Sequence, residues 1–501
     1  MSDLDWNLIH RVNVGDALAR TAAHYPHHEA IVDGKRRFTY ADFDAWVNRV
    51  ANGLASRGYK RGDALGLMAG NCAEFLVTYY ACARIGVVVV PINLGWREAE
   101  IDYVLGHAKA KGLVTEPAHL AKAKLSDVYV IGDSFDKLQG PATPPNAYVE
   151  DRDPITYLYT SGTTASPKGV VGSHLAIHVE ALTVAIDMEL RRRDRVLCLM
   201  PMFHTAQLNA FCTPAVAVGA TMVILRAFDA DTVLDLVATE KLTTLFALPM
   251  MYRQLVEKQK TAARVVKSLR LCVYAMTPMP DHELRAALET FGCDFALLFG
   301  QTEMSPVATI FRPEHQLSHI GAVGTPGVNV QVAIMADDGR LLPPNSTGEI
   351  VYRSPHVTER YLDDPAATAH AFRHGWFHSG DTGHLGDDGM LWFEDRSKDV
   401  IKTGGENVAS IEVEKMVYEV APEIAQAVVI GLPHPHWIEA ITVIAVARTP
   451  IDPDDIISRL KQRLASFKVP KAVIVVDSLP MTSTGKIQKH VLRQQHARHY
   501  T

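Results

Sequence analysis

The chain has 501 residues, 48% of them hydrophobic and 21% charged, with a formal net charge of −6 at pH 7. That length exceeds what one hydrophobic core organises and suits two or three domains of globular composition. The mild acidity gives no reason to expect nucleic acid or an anionic membrane as partner.

Cys72, Cys82, Cys198, Cys212, Cys272 and Cys293 form no CxxC pair and lie mostly among apolar residues, the pattern of reduced, buried thiols. The opening Met-Ser-Asp-Leu-Asp has neither the basic nor the apolar part of a signal peptide. The apolar stretch at 211–225 is broken by Thr213, Pro214, Gly219 and Thr221 and is too short for a bilayer. The closing His-Tyr-Thr is no organellar address. A cytoplasmic location is expected, and the sequon at Asn345 is then chance.

In chain order, residues 14–23 are helical in pattern, and Asp33-Gly34-Lys35 marks a hairpin between 30–32 and 37–38. Thr39, with Asp42 three residues later, reads as the N-cap of a helix running to Leu54. Strands at 64–68 and 87–92, helices at 74–85 and 98–105, and a short strand at 112–114 follow. Further strands are predicted at 196–200, 221–224, 244–247 and 271–274, with helices between them. This alternation predicts mostly parallel sheets with helices on both faces.

From about 320 the texture turns to Gly, Pro, Asp and short β runs at 331–335, 348–352 and 389–393, a small β-rich subdomain. Beyond Asp395 a compact α/β unit is predicted: helix 411–420, strands 425–432 and 441–447, helix 456–465 and strand 472–476.

Between the apolar segments 155–159 and 170–171 lies Thr160-Ser161-Gly162-Thr163-Thr164-Ala165-Ser166-Pro167-Lys168-Gly169. Glycines admit an anion close to the backbone, hydroxyls and N–H groups donate to its oxygens, and the lysine supplies full charge. It is not a Walker A loop: counted from Gly162, that pattern needs Gly at 167 and Ser or Thr at 169, where this chain has Pro167 and Gly169. The loop is followed in order by Phe299-Gly300-Gln301-Thr302-Glu303, Trp376-Phe377-His378-Ser379-Gly380-Asp381, Asp395-Arg396-Ser397-Lys398-Asp399 and Thr484-Gly485-Lys486.

With these motifs the chain resembles the adenylate-forming superfamily of acyl-CoA synthetases, luciferases and peptide-synthetase adenylation domains, over about residues 15–493. The resemblance implies an α/β fold: a large N-terminal domain of doubly wound sheets plus a β-rich subdomain at 1–396, and a small mobile C-terminal domain at 397–501. It implies an acid–thiol ligase in which a carboxylate attacks the α-phosphate of ATP, releasing pyrophosphate, and the acyl group passes to coenzyme A. Loading of a carrier-protein phosphopantetheine is the alternative. The partners implied are a small carboxylic acid, ATP and CoA, with Mg²⁺ as cofactor; a homodimer is compatible with it.

The resemblance assigns Ser161, Thr163, Thr164 and Lys168 to the β and γ phosphates, with Gly162 and Gly169 allowing close approach and Thr160 also counted as ATP-binding. Thr302 is matched to the α-phosphate and Glu303 to Mg²⁺, a hard cation that takes oxygen ligands. Asp381 is matched to the ribose hydroxyls and Arg396 to a second ribose or phosphate contact; Ala275, Met276, Thr277 and Phe299 are matched to the adenine, and Gly300 to the ATP site. Lys486 is matched to the lysine that bridges carboxylate and α-phosphate. Lys398 is the matched hinge, which swings Lys402, Gly404 and Gly405 in for the thiol step.

Phe203, His204, Gln207, Leu298 and Met304 are expected around the acyl group, with His204 at the carboxylate. Phe203-His204 stands where amine-selecting relatives have Phe-Asp, so a plain acid fits better than an amino acid. Four departures are visible: Ala165 for a frequent Gly, Met276-Thr277 for small residues, Leu298 for Gly, and Ile438 for the Gly of Trp-Gly-Glu.

Overall fold

A computed structural model describes residues 1–122, 124–160, 167–275, 279–396, 399–403, 406–482 and 487–500. The predicted alternation forms two large sheets. One has six strands in the order Val128–Val130, Ala110–Thr115, Ala64–Met68, Val88–Pro91, Pro154–Thr160, Lys168–Ser173. All its pairings are parallel except the last, an antiparallel hairpin. The other sheet has nine strands, parallel through its centre from Asp294–Gly300 to Glu29–Asp33 and antiparallel at both edges.

Helix Ala73–Ile85 shows why the sheets come together. All of its 13 residues are buried, the fate of a helix that is apolar all round. Its two charged side chains are paired: Glu74 with Arg36, and Arg84 with Asp44 and Asn48. Phe75, Leu76 and Tyr79 are wholly buried and join a core running from helix Val14–His24 to strand Val307–Phe311. Each such side chain contributes about 1.5–3 kcal/mol by leaving water. A second core lies on the other face of the nine-stranded sheet, and successive residues of Asp294–Gly300 alternate between the two, Leu298 in the first and Leu297 in the second.

The β-rich part is an antiparallel meander, Gln331–Met335, Gly348–Arg353, Phe377–Leu385 and Leu391–Arg396. The C-terminal unit has its own core. Its long hairpin Ile424–His434 and Ile438–Ala447 is flanked by Ala472–Val475 and by Ile401–Thr403 with Glu406–Val408. Across the junction, Asp395 Oδ2 accepts from the backbone N–H and hydroxyl of Ser410, at 2.6 and 2.7 Å.

Thr39 caps its helix with Asp42 as predicted, and all six cysteines are free. One predicted helix shifts. The helix expected at 456–465 is Pro453–Lys461, because Asp452 accepts from Asp454 N–H and Pro453 takes the first turn. The apolar stretch at 211–225 divides into a π-helical turn Leu208–Cys212, a short helix Thr213–Val218 ended by Gly219, and strand Thr221–Ile224. Among the described residues no helix is long and apolar enough to cross a membrane.

Candidate active site

The hairpin Pro154–Thr160 and Lys168–Ser173 brings Thr160 opposite Lys168 at its open end. Residues 161–166, the rest of the predicted phosphate loop, lie outside the described residues, as do Met276, Thr277, Lys398, Gly404, Gly405 and Lys486. The hairpin is braced by residues 358–362, which run beside its second strand. Glu359 N–H donates to Val171 O (3.0 Å), Val171 N–H to Arg360 O (3.1 Å) and Leu362 N–H to Gly169 O (2.8 Å). A Cβ on Gly169 would stand 3.2 Å from both Leu362 Cβ and the Tyr159 ring, so glycine permits this close approach.

The same brace reaches the second motif. Strand Asp294–Gly300 ends in a 3₁₀ turn, Thr302–Met304, with Gln301 before it. Thr358 N–H donates to Glu303 O at 2.7 Å, and Tyr361 Oη donates to Glu303 Oε1 at 2.9 Å. Lys168 Nζ lies 5.3 Å from the centroid of the Tyr361 ring, a cation–π distance. Burial, then the Glu303 charge and hydrogen bond, push the Tyr361 hydroxyl well above the usual phenol range, so it is a donor at any working pH. Tyr361 thus joins the two motifs. No sequence pattern pointed to it; its only signal is an aromatic residue in a loop whose backbone pairs elsewhere.

Gly300 turns the chain beside Pro306, whose carbonyl oxygen would be 2.1 Å from a Cβ at position 300. Phe299, expected against adenine, is half-buried with its ring 5.3 Å from that of Phe393. Asp381 lies within strand Phe377–Leu385, is 6% exposed and faces position 396 across the pair Asp381↔Arg396. Its N–H donates to Ser379 Oγ at 3.0 Å. Ala275 is buried just beyond strand Leu271–Tyr274.

His204 caps the short helix Thr205–Gln207, its Nδ1 accepting from Ala206 N–H at 3.2 Å. A ring nitrogen that accepts carries no proton, which puts the hydrogen of the neutral ring on Nε2. The His204 loop is pinned from within: Asn71 Oδ1 accepts from Met202 N–H, and Gln207 Oε1 from Met200 N–H at 3.0 Å. Gln207 is wholly buried, its carbonyl oxygen engaged in that bond and its amide nitrogen 3.8 Å from Cys212 Sγ. Of the residues expected around the acyl group, Phe203 and Leu298 share the first core. Met304 is wholly buried in the second. Lys402 is exposed, its N–H donating to Glu439 Oε2 at 2.7 Å.

This arrangement suits a nucleotide. Gln301 Nε2 is a buried donor without a partner among the described residues, and Asp381 is a buried carboxylate. Among the described residues no three metal-ligating side chains cluster. Mg²⁺ does not require them, since it keeps waters and takes one or two carboxylates with substrate phosphates; Glu303 is such a carboxylate.

A family model described as AMP-binding enzyme matches residues 18–362, and one described as AMP-binding enzyme C-terminal domain matches residues 412–486. The chain belongs to the AMP-binding enzyme family. It is 34% identical over 490 residues to a feruloyl-CoA synthase of an Amycolatopsis species, covering 96% of this chain and 99% of the relative. To an indoleacetate–CoA ligase of Aromatoleum aromaticum it is 32% identical over 509 residues, covering 97% and 99%. Among solved structures, ATP-bound MatB from Rhodopseudomonas palustris superposes with a TM-score of 0.90 at 28% identity, covering 98% of this chain and 100% of that one. The apo form of MatB, with the same identity and coverage, gives 0.79. The chain is accordingly an AMP-forming acid–thiol ligase: acid and ATP give an acyl-adenylate and pyrophosphate, and CoA then displaces AMP.

Proposed function

We propose that the acid is aromatic or similarly compact, and that the ATP step is carried out by the two motifs joined at Tyr361. The observation that carries this reading is the convergence of Lys168, Tyr361 and Glu303 at the mouth of the Thr160–Lys168 hairpin. An acid oxygen attacks the α-phosphorus, the bond to the β-phosphate bridging oxygen breaks, and pyrophosphate leaves. Charge grows on both phosphate groups, and preorganised cations and donors stabilise it most.

Thr160, Ser161, Gly162, Thr163, Thr164 and Lys168 hold the departing end of ATP. Thr302 donates to the α-phosphate. Glu303, its Oε1 fixed by Tyr361, would hold Mg²⁺, which supplies positive charge to the phosphate oxygens when bound. Asp381 accepts from the ribose hydroxyls, with Arg396 beside it. His204 Nε2–H points the acid carboxylate, and Lys486 bridges it to the α-phosphate. Turning about Lys398 then exchanges Lys486 for the face bearing Lys402, Gly404 and Gly405, past which pantetheine reaches the adenylate. The closer match to ATP-bound than to apo MatB supports an arrangement of the two domains suited to adenylation.

Two points support an aromatic acid: the names of the two relatives above, and the bulk of Leu298, which shares the first core with Phe203. The test is acid-dependent ATP–pyrophosphate exchange with ferulate, indole-3-acetate and palmitate, followed by thioester formation with CoA or a phosphopantetheinylated carrier. Exchange with the aromatic acids and thioester on CoA is expected. Preference for palmitate, or thioester on the carrier alone, would overturn the assignment.

A further inference from the structure

Beneath the Thr302–Met304 turn lies a buried ionisable pair. Glu180 stands on helix His174–Asp187, which leaves the phosphate-loop hairpin directly after Ser173. Its Oε1 accepts from Val307 N–H at 3.1 Å, where the chain leaves the turn. Its Oε2 lies 2.7 Å from His356 Nδ1, an ion-pair distance without hydrogen-bond alignment, and both side chains are 0% exposed. The His356 carbonyl accepts from Ser305 Oγ at 2.9 Å, and Thr358, two residues on, donates to Glu303 O. Both sides of the turn therefore lead back to this pair.

Stability alone does not account for such a pair. Desolvating two ionisable groups costs several kcal/mol each, and a well-packed apolar replacement is often as stable or more so. Burial raises the Glu180 pKa, His356 and the Val307 N–H oppose that, and Asp187 on the same helix, itself paired with Arg312, adds to the rise. What the pair does achieve is registry: it links the helix that follows the phosphate loop to the strand that follows Glu303.

We propose that Glu180 and His356 are positioning residues that set the Thr302–Glu303 turn against the phosphate-loop hairpin for adenylation. The proposal rests on the reading of Thr302 and Glu303 as groups facing ATP. Neither residue touches substrate. Because they act on one half-reaction's groups, their loss separates the two half-reactions, which general loosening of the fold would not do.

The test compares Glu180→Gln, which keeps an acceptor for Val307 N–H, and the apolar pair Glu180→Met with His356→Leu, which keeps packing volume. Expected is a loss of about tenfold in kcat for acid-dependent ATP–pyrophosphate exchange, the scale of a small misplacement of reacting groups. The KM for the acid and the rate of CoA attack on supplied acyl-adenylate should stay within about twofold; the apolar pair relieves the desolvation of two ionisable groups but leaves Val307 N–H without its acceptor, two opposing effects, and should still melt cooperatively. Equal losses in both half-reactions, or full exchange activity in the folded apolar variant, would overturn the proposal. Glu303→Ala is the control. If it leaves exchange intact, the underlying reading of the site fails and the pair falls with it; if it abolishes exchange while the Glu180 variants keep it, the pair alone is wrong.

Discussion

Tyr361 donates its hydroxyl to Glu303 Oε1 at 2.9 Å while its ring faces Lys168 Nζ. One side chain thus sets the spacing between the lysine of the phosphate loop and the carboxylate of the Thr302–Glu303 turn.

Replacing Tyr361 by Phe keeps the ring beneath Lys168 and removes the hydroxyl. A hydrogen bond to a charged group is worth about 1.5–3 kcal/mol, so kcat/KM for ATP should fall by about 10–100-fold in the exchange assay. The Mg²⁺ concentration giving half-maximal rate should rise. Unchanged Mg²⁺ dependence would show that the hydroxyl does not orient the carboxylate.

Lys486→Ala should lower adenylation by about 10²–10³-fold, the usual effect of removing a group that meets developing charge. Turnover of supplied acyl-adenylate with CoA should change little, since the proposed domain turn takes the lysine out of the site before the thiol step. Equal losses in both half-reactions would contradict domain alternation about Lys398.

Gly300→Ala drives a methyl group toward the Pro306 carbonyl oxygen, 2.1 Å from the ideal position. Overpacking of this kind costs about 1–3 kcal/mol, and here it displaces the turn carrying Thr302 and Glu303. A lowered Tm together with loss of exchange activity is expected, measured by calorimetry and pyrophosphate exchange.

His174 is wholly buried, and burial lowers its pKa to about 4, with Asp153 opposing and Arg11 adding to the shift. Unfolding restores a value near 6.5, so the unfolded chain binds more protons between those limits. Stability from the neutral ring is complete above about pH 6.5 and is lost as pH falls toward 4. His174→Asn retains an acceptor for Val14 N–H, which donates to Nδ1 at 3.3 Å. Urea midpoints from pH 7 to 4.5 should therefore fall less steeply in the variant than in wild type.

Ile438 has φ of 69° and is 67% exposed, opposite Thr403 and next to Glu439, which holds Lys402 N–H. A β-branched residue there is strained by about 1–2 kcal/mol. Ile438→Gly should raise the Tm and, by clearing the face offered to the thiol, speed thioester formation without altering pyrophosphate exchange.

The alternation of apolar runs made the two parallel sheets legible, because strands covered on both faces read as unbroken apolar segments such as 87–92. Lys168, Thr302, Glu303 and Asp381 were legible because their chemistry is concentrated in short motifs. Tyr361, Glu180 and His356 were not. They act through contacts spanning 58 residues for Tyr361 with Glu303 and 127 for Glu180 with Val307, and no local period encodes such separations. Gln207 and Met304, expected around the acyl group, are both wholly buried, Gln207 beside Cys212 and Met304 in the second core.

The most direct test is incorporation of labelled pyrophosphate into ATP across a panel of carboxylic acids, with wild-type protein and Glu303→Ala and with mass-spectrometric detection of the adenylate. The account predicts exchange that requires both Mg²⁺ and an acid, strongest with aromatic acids, accompanied by acyl-AMP and abolished in the variant. Exchange absent with every acid, or undiminished in Glu303→Ala, would contradict it.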